Sequence, residues 1–203
     1  GRSPVLSTSG MCATSHPLAT QSAIETLKAG GNAMDAAITG AVLLGICEPQ
    51  MTGIGGDCFV LWSDKDGEIK SLNGSGRAPA GLDAAQLRDQ GHSVVPKQSP
   101  HSVTVPGAID AFCRLSEEVG NLGIDRLLGP AIHYAEIGVP VAPRVASDWA
   151  RDASVLQGKA RETFLAGKQI PEAGQIFKAP GQAKVLRQIA KYGRDAFYTG
   201  EVA

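Results

Sequence analysis

The residues with the most chemical promise in this chain lie in one short run, Asn73-Gly74-Ser75-Gly76-Arg77-Ala78-Pro79-Ala80. A lone arginine among small residues is sterically accessible, and its planar fork suits a carboxylate held by two parallel hydrogen bonds. The alternative is a structural ion pair across a turn, a common fate of loop arginines. A second glycine-rich run, Gly53-Ile54-Gly55-Gly56, has backbone N–H groups that an anion can approach. It does not fit the dinucleotide pattern, because it follows a helical stretch and opens a strand, and no GxxxxGK[ST] is present.

The other reactive side chains form no pattern. His16, His92, His101 and His133 lack HxxxH or HExxH spacing, so a metal would need ligands gathered from distant segments. His16, beside a proline at a helix start, reads as a cap or packing group, and His133 as a core or boundary histidine of a helix. Gly74-Ser75-Gly76 is not the Gly-x-Ser-x-Gly elbow of a serine hydrolase. Cys12, Cys47, Cys58 and Cys113 show no CxxC pairing, and buried free thiols are expected.

The elements that must position these groups follow from periodicity. Residues 4–14 alternate loosely and read as a strand. A helix then starts at Ser15-His16-Pro17, with Ala19, Ala23, Ile24 and Leu27 on one face and Gly30-Gly31 as its stop. Asn32 with Asp35 resembles a capping box, and residues 33–47 are apolar on nearly every face, so the second helix is expected to be buried. A hairpin follows, with strands over 58–62 and 68–72 joined by Asp64-Lys65-Asp66-Gly67. Beyond it the sequence reads as loop with one short helix near 84–90, then helices from Pro106 and from near Ile124, Arg144 and Gln182. No repeat and no clean linker appears, and the 203 residues read as one unit.

Composition narrows the function classes. Apolar residues make up 43%, charged residues 19%, and the formal net charge is −1, so no global field gathers nucleic acid or an anionic membrane. The longest apolar stretch is too short to span a bilayer. With 25 glycines and 12 prolines the chain is rich in turns without being low in complexity. The start lacks an initiator Met and an apolar leader segment, which leaves the compartment, exported or cytoplasmic, unknown.

Several blocks together resemble the amino-terminal half of the gamma-glutamyltranspeptidases. They are Gly10-Met11-Cys12-Ala13-Thr14-Ser15-His16-Pro17-Leu18-Ala19, Gly30-Gly31-Asn32-Ala33-Met34-Asp35-Ala36-Ala37, and Glu48-Pro49 with Gly53-Ile54-Gly55-Gly56-Asp57-Cys58-Phe59. Thr104-Val105-Pro106-Gly107-Ala108 and Asp195-Ala196-Phe197-Tyr198-Thr199-Gly200 follow in the family's order. The resemblance implies an α+β, four-layer αββα N-terminal-nucleophile hydrolase. This chain would supply large-subunit helices and some sheet strands, with no separate domain boundary over 1–203. It also implies a precursor that cleaves itself, with a threonine at the start of the small subunit as nucleophile and its α-amino group as base. That threonine is expected outside this chain, so no catalytic residue is named here, and the small subunit from the same precursor is the expected partner.

The implied activity is gamma-glutamyl transfer or hydrolysis on glutathione or related amides, without metal or organic cofactor, nucleic acid or membrane. The alternatives are an acylase for a beta-lactam side chain or a small oxo-acid amide, and a non-catalytic remnant. Arg77 is the implied substrate-binding residue, by analogy with the arginine of the family's Asp-Gly-Arg-Glu-x-Ala-Pro loop. Counting back from Ala78-Pro79, that arginine falls on Ser75, and Arg77 lies two positions later, about 7 Å along an extended chain. A second departure is Gly56-Asp57-Cys58, where many family members read Gly-Gly-Gly; Asp57 is expected to hydrogen-bond the neighbouring turn.

Overall fold

The computed structural model describes residues 3–165 and 169–203, which divide into two compact units, one of 3–53 with the described residues from 112 on, the other of 54–111. The second division falls inside one continuous helix.

The larger unit is helical. Helix α1 (Pro17–Lys28) starts where the sequence places it: Pro17 occupies the first turn and His16 Nδ1 accepts the Leu18 N–H at 3.3 Å. It ends at Gly30, whose φ of +94° is a left-handed conformation that glycine adopts without strain. Helix α2 (Ala33–Cys47) carries the full capping box: Asn32 Oδ1 accepts the N–H groups of Met34 and Asp35, and Asp35 Oδ2 accepts that of Asn32. Its apolar circumference is matched by its position, with α1 on one side and α5 (Ile124–Ile137) on another. Ile38, Val42, Leu43 and Ile46 of α2 and Leu127, Leu128 and Ala131 of α5 are buried. Each large side chain among them contributes about 1.5–3 kcal/mol relative to exposure.

On its other flank α5 packs against α8 (Pro180–Tyr192), through Ala183, Leu186 and Ile189, and α9 (Arg194–Tyr198) follows against α8. Strands β3 (Val139–Pro140) and β4 (Ile176–Phe177) pair antiparallel. Helices α6 (Pro143–Asp152) and α7 (Gly158–Phe164) bring Trp149 and Phe164 to Phe177, with ring centroids 4.9 to 6.3 Å apart.

The smaller unit opens with a hairpin, β1 (Cys58–Ser63) and β2 (Ile69–Gly74), followed by α3 (Ala84–Asp89). Helix α4 (Ala108–Glu118) begins in it and continues past the division. No helix among the described residues is long and apolar enough to cross a membrane.

Two local expectations fail. Residues 4–14 form no strand; Val5 and Leu6 are 74% and 91% exposed, and no described segment pairs with them. Alternation gives a chain two faces, but a strand also needs a neighbour for its N–H and C=O groups. Helix α1 buries Ser22 and Thr26 rather than Ile24 and Leu27, which are half-buried. The Thr26 hydroxyl donates to the Ser22 carbonyl at 2.9 Å and meets Thr39 Oγ1 of α2 at 3.1 Å, so the small polar groups are satisfied where the two helices meet.

Candidate functional site

The Arg77 loop is positioned by the hairpin and a third segment of the smaller unit. The turn is set by Asp64, whose Oδ1 accepts the N–H groups of Asp66 and Glu68 at 2.9 and 3.0 Å, and by Gly67 at φ +81°. With the turn fixed, the ladder runs from Ser63 opposite Ile69 to Cys58 opposite Gly74. One step further, the strand entrance and the strand exit lie side by side. There Asp57 Oδ1 accepts the N–H of Gly76 at 2.9 Å, and Asn73 Oδ1 that of Ser75 at 3.0 Å.

Residues 105–108 complete the frame. The Val105 N–H donates to the Arg77 carbonyl at 2.9 Å, and the Gly107 and Ala108 N–H groups both donate to the Gly56 carbonyl at 3.0 Å. The backbones approach so closely that a Cβ on Gly76 would run into the Val105 carbonyl oxygen, and one on Gly107 into the Gly74 carbonyl oxygen. These two glycines are required by contact with neighbouring backbone, not by an unusual φ.

Arg77 itself is exposed, and among the described residues its guanidinium makes no hydrogen bond or ion pair. The structural ion pair weighed from sequence is thus absent among them. A positively charged fork on a doubly anchored backbone is suited to gripping a carboxylate in bidentate fashion. The partner of Asp57 lies 19 residues away, in the Arg77 loop rather than in its own turn. Sequence reasoning had no direct sign of this link; the register of the hairpin carries it.

The remaining candidates lie elsewhere. In the larger unit His16 is buried as the cap of α1; burial holds its imidazole below the usual range, against an opposing pull from the Glu48 carboxylate. Glu48 also accepts the Ser15 hydroxyl at 2.6 Å. His92 and His101 are exposed, and His133 faces outward on α5 rather than into the core. It borders an open groove of about 620 Å³ where Arg187 grips Glu136 at 2.6 to 3.0 Å, so that arginine is already paired. All four cysteines are thiols, but only Cys47 and Cys113 are buried. Burial and the Glu48 charge push the Cys47 thiol up to about 12, which keeps it protonated and inert at neutral pH. Among the described residues no cluster of three His, Cys, Asp or Glu side chains is arranged to hold a metal.

Comparison with known proteins agrees with this architecture. The family model described as gamma-glutamyltranspeptidase matches residues 19–203. The chain is 34% identical over 207 residues to the oxamate amidohydrolase proenzyme of Klebsiella pneumoniae, covering 98% of this chain and 39% of that protein. It is 34% identical over 203 residues to the glutathione hydrolase-like YwrD proenzyme of Bacillus subtilis, covering 98% of this chain and 38% of that protein. The crystal structure of Helicobacter pylori gamma-glutamyltranspeptidase superimposes with a TM-score of 0.92 at 29% identity, over 98% of this chain and 59% of that one. The fold is therefore α+β, of the kind found in these N-terminal-nucleophile hydrolases. The chain belongs to the gamma-glutamyltranspeptidase family. It spans about two fifths of the length of these curated relatives.

Proposed function

We propose that this chain is the amino-terminal portion of the large subunit, without a separate domain boundary, of a self-processing gamma-glutamyl transferase or hydrolase. Its substrates would be glutathione or related gamma-glutamyl amides. In this reading a threonine outside these residues, at the start of the small subunit, attacks the amide carbonyl with its own α-amino group as base. The amine leaves, and the acyl group passes from the threonine ester to water or to the amine of an acceptor. The reaction calls on backbone donors for the oxyanion and on no cofactor.

The contribution of this chain is to hold the substrate still. Arg77 pairs with the α-carboxylate of the glutamyl group while the threonine reacts at the other end of the same molecule. The observation that carries this is an exposed guanidinium, without an ion-pair partner among the described residues, on a loop tied by hydrogen bonds to two other segments. The test is steady-state turnover of gamma-glutamyl-p-nitroanilide by the full, self-cleaved protein. Arg77→Ala is expected to raise KM about a hundredfold, as loss of a charged bidentate contact does, and unchanged kinetics would refute the assignment.

A second reading, an acylase for a small oxo-acid amide, draws on the oxamate amidohydrolase relative and on the two-residue displacement of Arg77 from the family's position. Turnover of oxamate without turnover of the anilide would establish it. A single uncleaved species by mass spectrometry would favour the non-catalytic remnant over both.

A further inference from the structure

We infer that Asp57 is a positioning residue for Arg77, holding the guanidinium in line with a substrate carboxylate through the backbone of Gly76. The inference rests on Arg77 being the carboxylate anchor.

The Arg77 loop leaves the ladder at Gly74 and passes Ser75 and Gly76 before Arg77 begins. Two glycines in three residues leave the backbone broadly free, so the loop's direction has to be imposed from outside. On the carboxyl side of Arg77 this is done by main chain, the Val105 N–H on the Arg77 carbonyl at 2.9 Å. On the amino side two side chains do it. Asn73, in the ladder opposite Phe59, takes the Ser75 N–H two residues on, whereas Asp57, at the entrance to β1, takes the Gly76 N–H from across the hairpin. Asp57 is thus the side chain that ties the residue before Arg77 to the hairpin frame, and Gly56 next to it is itself fixed by the N–H groups of Gly107 and Ala108.

The leverage is large. A guanidinium lies roughly 6 Å from its Cα, so a backbone rotation of about 20° at Gly76 displaces it by about 2 Å, beyond what a hydrogen bond tolerates. Asp57 is exposed, so the same bond adds little to the stability of the fold; its effect is on where Arg77 points.

The test is a mutant cycle on the full, self-cleaved protein with gamma-glutamyl-p-nitroanilide. Asp57→Ala should raise KM about tenfold, ~1.4 kcal/mol, with kcat within about twofold. Asp57→Asn should rescue most of the loss, since its amide oxygen accepts the same N–H. In the Arg77→Ala background Asp57→Ala should add nothing, because there is no guanidinium left to aim. The inference is overturned if Asp57→Ala leaves KM unchanged while Arg77→Ala raises it, if the two effects add, or if Asp57→Asn is as impaired as Asp57→Ala. If Arg77→Ala is itself silent, the anchor reading fails, and that result is distinct from the others. Should Asp57→Ala not accumulate as processed protein, Asp57→Ser, whose hydroxyl reaches less far, takes its place in each comparison.

Discussion

Asp35 in the helical unit and Asp57 in the hairpin unit make the same kind of bond in opposite surroundings. Each carboxylate accepts backbone N–H groups from a segment distant in sequence. Asp35 takes those of Asn121 at 2.9 Å and Leu122 at 3.3 Å, besides the Asn32 N–H that completes the α2 cap, and it is fully buried. Asp57 takes one, from Gly76, and is exposed. Around Asp35 water cannot replace a lost partner, so the bonds hold the start of α2 to the link between α4 and α5. Around Asp57 water can, so the bond fixes a direction and adds little to stability. Burial, not residue type, decides whether an aspartate acts on the fold or on a site.

The largest effect that tests this contrast is Asp35→Ala. It leaves buried N–H groups without acceptors and removes half a capping box, and is expected to destabilise the full protein by about 3–4 kcal/mol in urea unfolding. A loss below about 1 kcal/mol would break the comparison at its buried end.

His16 supplies an intermediate case, a buried group whose bond depends on charge. Its Nδ1 caps α1 only while unprotonated, and its pKa is lowered from the ordinary 6.5 by burial. A depressed pKa means the unfolded chain binds the proton more readily than the folded one. The stabilisation is therefore fully present above pH 6.5 and is lost as pH falls below it through the folded value. About 1 kcal/mol of cap is at stake. His16→Asn, a cap that does not titrate, should flatten this part of the pH profile of unfolding; an unaltered slope would locate the pH dependence elsewhere.

Glycines sharpen the same contrast between the units. In α2 a Cβ on Gly40 would meet only ordinary contacts, 3.7 Å from Ala23 Cβ and 3.8 Å from the Ala19 carbonyl. Gly40→Ala should therefore stabilise by roughly 0.5–1 kcal/mol through helix propensity, read as a rise in melting temperature. A fall would mean that α1 and α2 cross more tightly than these distances imply. The smallest effect is on the stability of Asp57→Ala, which should stay within about 0.5 kcal/mol of the parent even as its KM rises. A larger drop would make Asp57 a second Asp35.

Much of this was legible in advance because it is local. The Asn32 and Asp35 spacing, Pro17 after His16, and the Asp64 to Gly67 turn each specify backbone geometry within a few residues, and each is found where the sequence places it. The two-residue β3 and β4 and the five-residue α9 escaped because so few residues carry no period, and α7 escaped with them. The inward turn of Ser22 and Thr26 escaped because hydrophobicity ranks Ile24 and Leu27 higher, while the close meeting of two helices favours small groups with satisfied hydroxyls.

For the site the line falls in the same place. The sequence alone singled out Arg77 and, through blocks in order, the family to which the chain belongs. Tertiary structure decided what surrounds that arginine: the Asp57 bond to Gly76, the Val105 strap, and the glycines at 76 and 107 that let two backbones touch. Side-chain identity and spacing act over one turn of chain and can be read there, whereas a hydrogen bond across 19 residues exists only once the hairpin's register has brought its two ends together.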